Sequence, residues 1–424
     1  LIRRNKHWND SCMEIIQSLV EKIGVLGKPG VKVMTTLFAT ILITCGKVNF
    51  TNLSRYSSLS EKTYRRQFHR QFDFAQFNAE IIKAATSLQH PMIAVMDCSF
   101  ISKSGKKTFG LDQFYNGSHN RVERGLEVSL VAVIDVETQV GFGLLAEQTF
   151  DQGECPELTR MDYYLHHLEI TQPQLPPQVR YLAVDGAYAK EAFVTGVRAL
   201  KLDVISKLRR DANLRYVFEG EQKALLAKRK YDGKVDLTDP TRLSWVRELQ
   251  SGLELYTAVV WHVSLKRKIR LAYLLDRRQP HKPSYAVLFS TDISQSPDEI
   301  YRFYKLRFQI EFIFRDAKQF TGLSDCQARD VKKLDFHVKL AGQNLLSGRL
   351  YFNVSFTALN LAKLDAYRQQ SGQQPFVFSM ASVKRRSLND HLLDTFISKL
   401  GLCATVIKSH PNYQSLRSYG VIAA

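Results

Sequence analysis

Apolar residues recur at helical spacing over Met13–Ile23 (MEIIQSLVEKI), which predicts an amphipathic helix; Gly24, Gly27 and Gly30 around Pro29 separate it from the next. Val33–Cys45 (VMTTLFATILITC) reads as a buried helix. Over Asn52–Phe72, Ser58 and Glu61 form a capping signature, and Tyr64, Phe68 and Phe72 recur every four residues. Arg65, Arg66, His69 and Arg70 project from the other faces. Residues 1–90 are therefore expected to be helical. From Pro91 the pattern shortens to strands: Met92–Met96, Val128–Ile134 and Val140–Leu145, the last two joined by the turn-like DVETQ, predict an antiparallel meander. A helix from about Glu157 to Glu169 leads through QPQLPP into an apolar strand, Arg180–Val184. Between about Leu208 and Thr291, segments such as LELYTAVVWHV, KIRLAYLL and SYAVLFS mark an inserted β-rich region. Ser296, Pro297 and Glu299 open a helix expected to run to Phe320 and stop at Thr321-Gly322. From Asp330 the chain reads as mostly helical. The pattern gives an α/β protein with a mixed sheet, divided into a helical region over 1–90, a sheet domain over 91–345 and a helical tail over 346–424.

Composition narrows the partners. Lys and Arg number 59 against 41 Asp and Glu, a net charge of +18, which favours a polyanion because neutralised phosphates release condensed counterions. A membrane is disfavoured: the longest apolar run, Val33–Cys45, falls short of the ~20 residues a spanning helix needs. Cys12, Cys45, Cys98, Cys155, Cys326 and Cys403 are scattered with no C-x-x-C pair, which fits a reducing, cytoplasmic setting.

The candidate chemistry gathers on the helix over 301–320. At ~100° per residue, Tyr304, Arg307, Glu311 and Lys318 share an arc of about 60°. Two readings stand: a satisfied ion-pair network, or a carboxylate flanked by phosphate-binding cations. Asp97 and Asp185 each follow an apolar strand (IAVMD, LAVD). The competing acids are weaker. Asp135 belongs to a turn, Asp203 precedes its strand, and Asp316 faces away from Glu311.

The spacing Tyr304-x2-Arg307-x3-Glu311-x6-Lys318, with IAVMDCSF and LAVDGAY before it, resembles the bacterial transposases of the insertion-sequence-4 family over roughly residues 50–345. The resemblance implies a ribonuclease-H-like fold with a strand insertion between Asp185 and Glu311. It implies that Asp97, Asp185 and Glu311 are catalytic and hold two Mg²⁺ ions, for which Mn²⁺ may substitute. It also implies cleavage of double-stranded DNA at element ends, joining to target DNA, and a homodimer on DNA. Tyr304, Arg307 and Lys318 would then grip phosphates. Other readings stay open: a nuclease or resolvase that does not join strands, or a non-catalytic DNA-binding regulator. Residues 52–72 read either as a helix-turn-helix placing Arg65, Arg66 and Arg70 against DNA or as an amphipathic helix with a solvated basic face. The basic connection from Cys98 to Leu126 either borders DNA or is a solvated loop. Trp245 and Trp261 read as core aromatics or as stacking platforms for a flipped base.

Overall fold

The computed structural model describes residues 8–24, 26–67, 72–103, 105, 108, 110–150, 152–153, 156–222, 228–279, 281, 284–325, 350–370 and 376–422. Arg70 and Phe68 lie outside them.

The N-terminal helices form where the apolar spacing predicts. α1 (Trp8–Ile23) ends at Gly24, whose φ of +68° suits glycine, and α2 (Lys28–Ile43) starts with Pro29 in its first turn. Leu37, Phe38, Ile41 and Leu42 of α2 are almost fully buried, so the long apolar run is a core helix. α3 (Phe50–Leu53) and α4 (Glu61–Gln67) follow, then α5 (Phe74–Ala85), capped by Asp73. The cap of α4 differs from expectation. Ser60, not Ser58, accepts the Thr63 N–H, at 3.3 Å. Arg65 folds back onto Glu61 and over the Phe50 ring, while Arg66 is exposed.

The sheet begins with β1 (Met92–Ser102), β2 (Asp112–Asn116), β3 (Arg121–Asp135) and β4 (Val140–Gln148). Strands thus occupy much of the expected Cys98–Leu126 loop: β1 and β3 pair as far as Ser102 and Gly125, and β2 adds to the far edge of β3. Asp97 consequently lies within a strand, opposite Leu130, rather than at its end. α6 (Arg160–Thr171), opened by a Thr159/Asp162 capping box, leads to β5 (Tyr181–Val184). α7 (Glu191–Ala199), which was not foreseen, and β6 (Asp203–Lys207), the strand expected after Asp203, complete a βαβ unit in which β1, β5 and β6 are parallel. The order β4-β3-β1-β5-β6, antiparallel then parallel, is the ribonuclease-H-like sheet.

The insertion contributes β7 (Leu214–Val217), β8 (Tyr231–Lys234), β9 (Ser244–Gln250), β10 (Leu253–His262), β11 (Arg267–Asp276) and β12 (Ser284–Ser290). These strands extend the same sheet. β12 pairs antiparallel with β6 at Leu288–Ser290, followed by β11 and β10, with β7 and β9 both on β10.

The expected single helix over 296–320 is two: α8 (Pro297–Leu306) and α9 (Gln309–Phe320). At the junction the N–H groups of Phe308, Ile310 and Glu311 each bond three residues back, so the chain winds more tightly there. Phe308 and Glu311, on either side of the tightened junction, are exposed (48% and 46%). The tail contains α10 (Leu350–Gln370), α11 (Met380–Lys399), α12 (Ala404–Ser409) and α13 (Tyr413–Arg417).

α10 closes the open edge of β4 with side chains. Asn353 exchanges two hydrogen bonds with the backbone of Ala146 (2.8 and 2.9 Å), and Asn360 does the same with Gly143 (3.1 and 2.7 Å). Seven residues apart, the two lie on one helix face. Asn360 also donates to Asn78 of α5, which donates to Leu144. Buried amides thereby satisfy a strand edge that, among the described residues, has no further strand beside it.

Candidate active site

The register of the sheet sets two carboxylates side by side. Met96 pairs with Val184 across the parallel β1–β5 ladder, so Asp97 and Asp185 are the next residues along adjacent strands. Asp97 is held on both oxygens: one accepts the Cys98 N–H at 2.8 Å, the other an Arg307 N–H at 3.2 Å. Asp185 is exposed at the start of the short turn Gly186–Tyr188. Glu311, in the first turn of α9, lies 3.6 Å from the other arm of Arg307.

Arg307 is the hub. Its side chain is only 14% exposed, spans Asp97 and Glu311, and has its carbon centre 5.6 Å from the Tyr304 ring centroid. Its Nε is buried without a hydrogen-bond partner among the described residues. The tightened junction between α8 and α9 aims this side chain inward while Phe308 turns out.

The field at Asp97 is unusual for an aspartate. Desolvation pushes its carboxyl up to about 6; the Cys98 N–H and Arg307 pull it down, and Asp185 and Glu311 push it up again. Desolvation thus sets the direction, and the Cys98 N–H and Arg307 only partly offset it. Burial also raises the Tyr304 phenol, which stays protonated at neutral pH. Among the described residues no three carboxylate, imidazole or thiol groups already converge as a metal-holding cluster. The donor set nevertheless fits a hard divalent cation. It offers carboxylate oxygens alone, and the group at its centre is desolvated and repelled by its neighbours.

Asp97, Asp185, Tyr304, Arg307 and Glu311 are therefore brought together. Lys318 lies beside them in another role: its ammonium donates to the Phe100 carbonyl of β1 at 2.8 Å, and burial lowers its pKa. Arg65 and Arg66 belong to α4 in the N-terminal helical layer. Trp245 is 61% exposed on β9, contrary to a core role, whereas Trp261 is half-buried against Tyr231. Asp135 fills its turn, accepting the Glu137 and Thr138 N–H groups, and Asp316 is buried beside Arg315.

Sequence reasoning passed over two neighbours of the carboxylates. Cys98 and the Tyr188 hydroxyl lie 3.2 Å apart, linking the strand that carries Asp97 to the turn that carries Asp185. Burial pushes both groups well above their ordinary pKa, so they act as neutral packing partners. The sole signal was their position inside the motifs DCSF and DGAY.

The class is thus a ribonuclease-H-like fold, with Asp97 and Asp185 at adjacent central strands and Glu311 on a helix after the insertion. The family described as Transposase DDE domain matches residues 89–341, more than half of the chain, and the chain belongs to that family. No curated protein matches it. It is a transposase with DNA as its substrate. Among the described residues no helix is long and apolar enough to cross a membrane.

Proposed function

We propose that this transposase cuts and joins DNA at insertion-sequence ends by metal-dependent in-line phosphoryl transfer, as a member of the insertion-sequence-4 group. Asp97, Asp185 and Glu311 are the residues that would hold two Mg²⁺ ions, or Mn²⁺ in their place. When bound, such ions supply a polarised water or 3′-hydroxyl and charge relief at the leaving oxygen. The reading is carried by one observation: strand register sets Asp97 beside Asp185, and Arg307 reaches from Asp97 at 3.2 Å to Glu311 at 3.6 Å.

The other side chains act on phosphate and on the carboxylates. Arg307 bridges Asp97 and Glu311 and presents a cation to the scissile region. Tyr304 offers a protonated hydroxyl. Lys318 fastens α9 to β1 and adds positive charge beside the site. Arg65 and Arg66, with Arg70, belong to the N-terminal region proposed to bind element ends, as a homodimer bridging two of them.

The test is a cutting assay with the full chain, Mg²⁺ and a plasmid carrying the coding region with its flanks. Asp97→Ala, Asp185→Ala and Glu311→Ala should each abolish nicking and joining while retaining DNA binding in a gel shift. Wild-type cutting by any of the three removes that residue from the site.

A further inference from the structure

Beside Asp185 the two parallel strands β5 and β6 end together, the place where open α/β sheets receive ligands. The turn after Asp185 is pressed against the end of β6. Ser206 Oγ donates to the Asp185 carbonyl at 3.0 Å, and a Cβ on Gly186 would lie 2.9 Å from the Lys207 carbonyl oxygen. A recess of 630 Å³ opens at this junction, and its charged lining is Lys190, Lys207, Arg209, Arg210 and Asp211.

Four cations thus face one carboxylate. The single ion pair, Arg209–Asp211, has side chains 79% and 72% exposed, so it neutralises little. Lys190 and Lys207 are exposed, and neither has a carboxylate partner among the described residues. Arg210 is laid over the Tyr285 ring of β12 at 5.3 Å. Lys190 also sits at the N-cap of α7, whose first turn carries the acid Glu191 and no side-chain cap. These cations stand next to Asp185, the candidate active-site carboxylate.

We propose that this recess binds backbone phosphates of the DNA strand that enters the active site, with Lys190, Lys207, Arg209 and Arg210 as the contacts. The inference rests on the reading of Asp185 as an active-site carboxylate. A recess one residue from Asp185 is placed to hold a phosphate neighbouring the scissile one, and backbone contacts of this kind fix register without reading sequence.

The test uses the full chain and the variant Lys207→Ala/Arg209→Ala/Arg210→Ala, all at exposed positions, with Lys190→Ala as a separate variant. Binding to a short labelled duplex of arbitrary sequence, and to its single strand, is followed by fluorescence anisotropy over a range of salt. Each lost phosphate contact should lower the slope of log K against log salt by about 0.9 on duplex or about 0.7 on single strand. The triple variant should therefore lose about three units, or about two. A loss confined to the single strand also supports the proposal and identifies the strand as unpaired. Unchanged slopes on both probes overturn it. Cutting by Asp185→Ala is read separately: wild-type activity there defeats the active-site reading, whereas an unchanged slope with an inactive Asp185→Ala defeats only the recess.

Discussion

Arg307 lies between two carboxylates that would otherwise repel each other, and its removal has a consequence at Asp97. Arg307→Ala should raise the Asp97 pKa further above about 6, because desolvation and the fields of Asp185 and Glu311 would act without their counter-charge. Arg307→Lys should recover little, since an ammonium cannot span both acids as the planar guanidinium does. Carbonyl-region NMR or infrared titration of the Asp97 carboxyl would measure the shift, and an unmoved value would show that Arg307 is not its main counter-ion. The native value has a pH consequence of its own. Asp97 rises from 3.8 to about 6, so the folded chain holds this proton more tightly than the unfolded chain. Its contribution to stability is full below about 4 and is lost as pH rises through about 6. A divalent cation must displace the same proton. Mn²⁺ affinity measured by calorimetry should accordingly weaken by up to roughly tenfold per unit below pH 6 and level off above it. Affinity flat from pH 5 to pH 7 would mean that Asp97 is not a ligand.

At the scale of elements, the edge of β4 depends on buried amides rather than on another strand. Asn360→Leu keeps approximate volume but strands the Gly143 N–H and C=O, while the Asn78 carbonyl keeps its bond from Thr357. Each buried group left unpaired costs about 1–3 kcal/mol, so a fall of about 2–5 kcal/mol in unfolding free energy is expected from denaturant titration. A loss below 1 kcal/mol would mean that water replaces the amide. The turn after β5 makes a different demand. Gly186→Ala places a methyl against the Lys207 carbonyl, which is backbone and cannot swing away. DNA cutting should fall at least tenfold while the thermal midpoint moves by only a few degrees. Full activity would show that Asp185 tolerates movement relative to β6. Neither demand is visible locally: Asn353, Asn360 and Gly186 acquire their roles from residues far away in the chain.

Across the whole molecule, the insertion completes the sheet instead of hanging from it. β12 supplies the antiparallel partner of β6, and the Thr291 N–H and hydroxyl bond to Val204 and Asp203. A chain joined directly from residue 207 to residue 291 would expose the β6 edge and the surface that packs under α8. It should be recovered insoluble, whereas a soluble, cooperatively unfolding product would show that the five-strand core is independent. The insertion also brings Arg210 and Tyr285 to the rim beside Asp185, so the catalytic face and the inserted strands form one surface.

The sequence alone determined what local periodicity and spacing encode: the helical character of the described residues before Pro91, the α/β character of the middle, the β-rich insertion, and the grouping of Tyr304, Arg307 and Glu311. Side chains three or four apart on a helix share a face whatever surrounds them, so that cluster survived even the break at Arg307–Phe308. Asp97 and Asp185 were legible as acids after apolar runs, and the neighbouring positions came from strand pairing, which the sequence does not state. Tertiary structure alone decided the extension of β1 through Asp97, because its length is set by β3 opposite. It also decided the commitment of Lys318 to a backbone carbonyl, the exposure of Glu311 and Trp245, and the basic recess at the end of β6. Each depends on contacts between residues distant in the chain, where burial and strand pairing, not propensity, set the outcome.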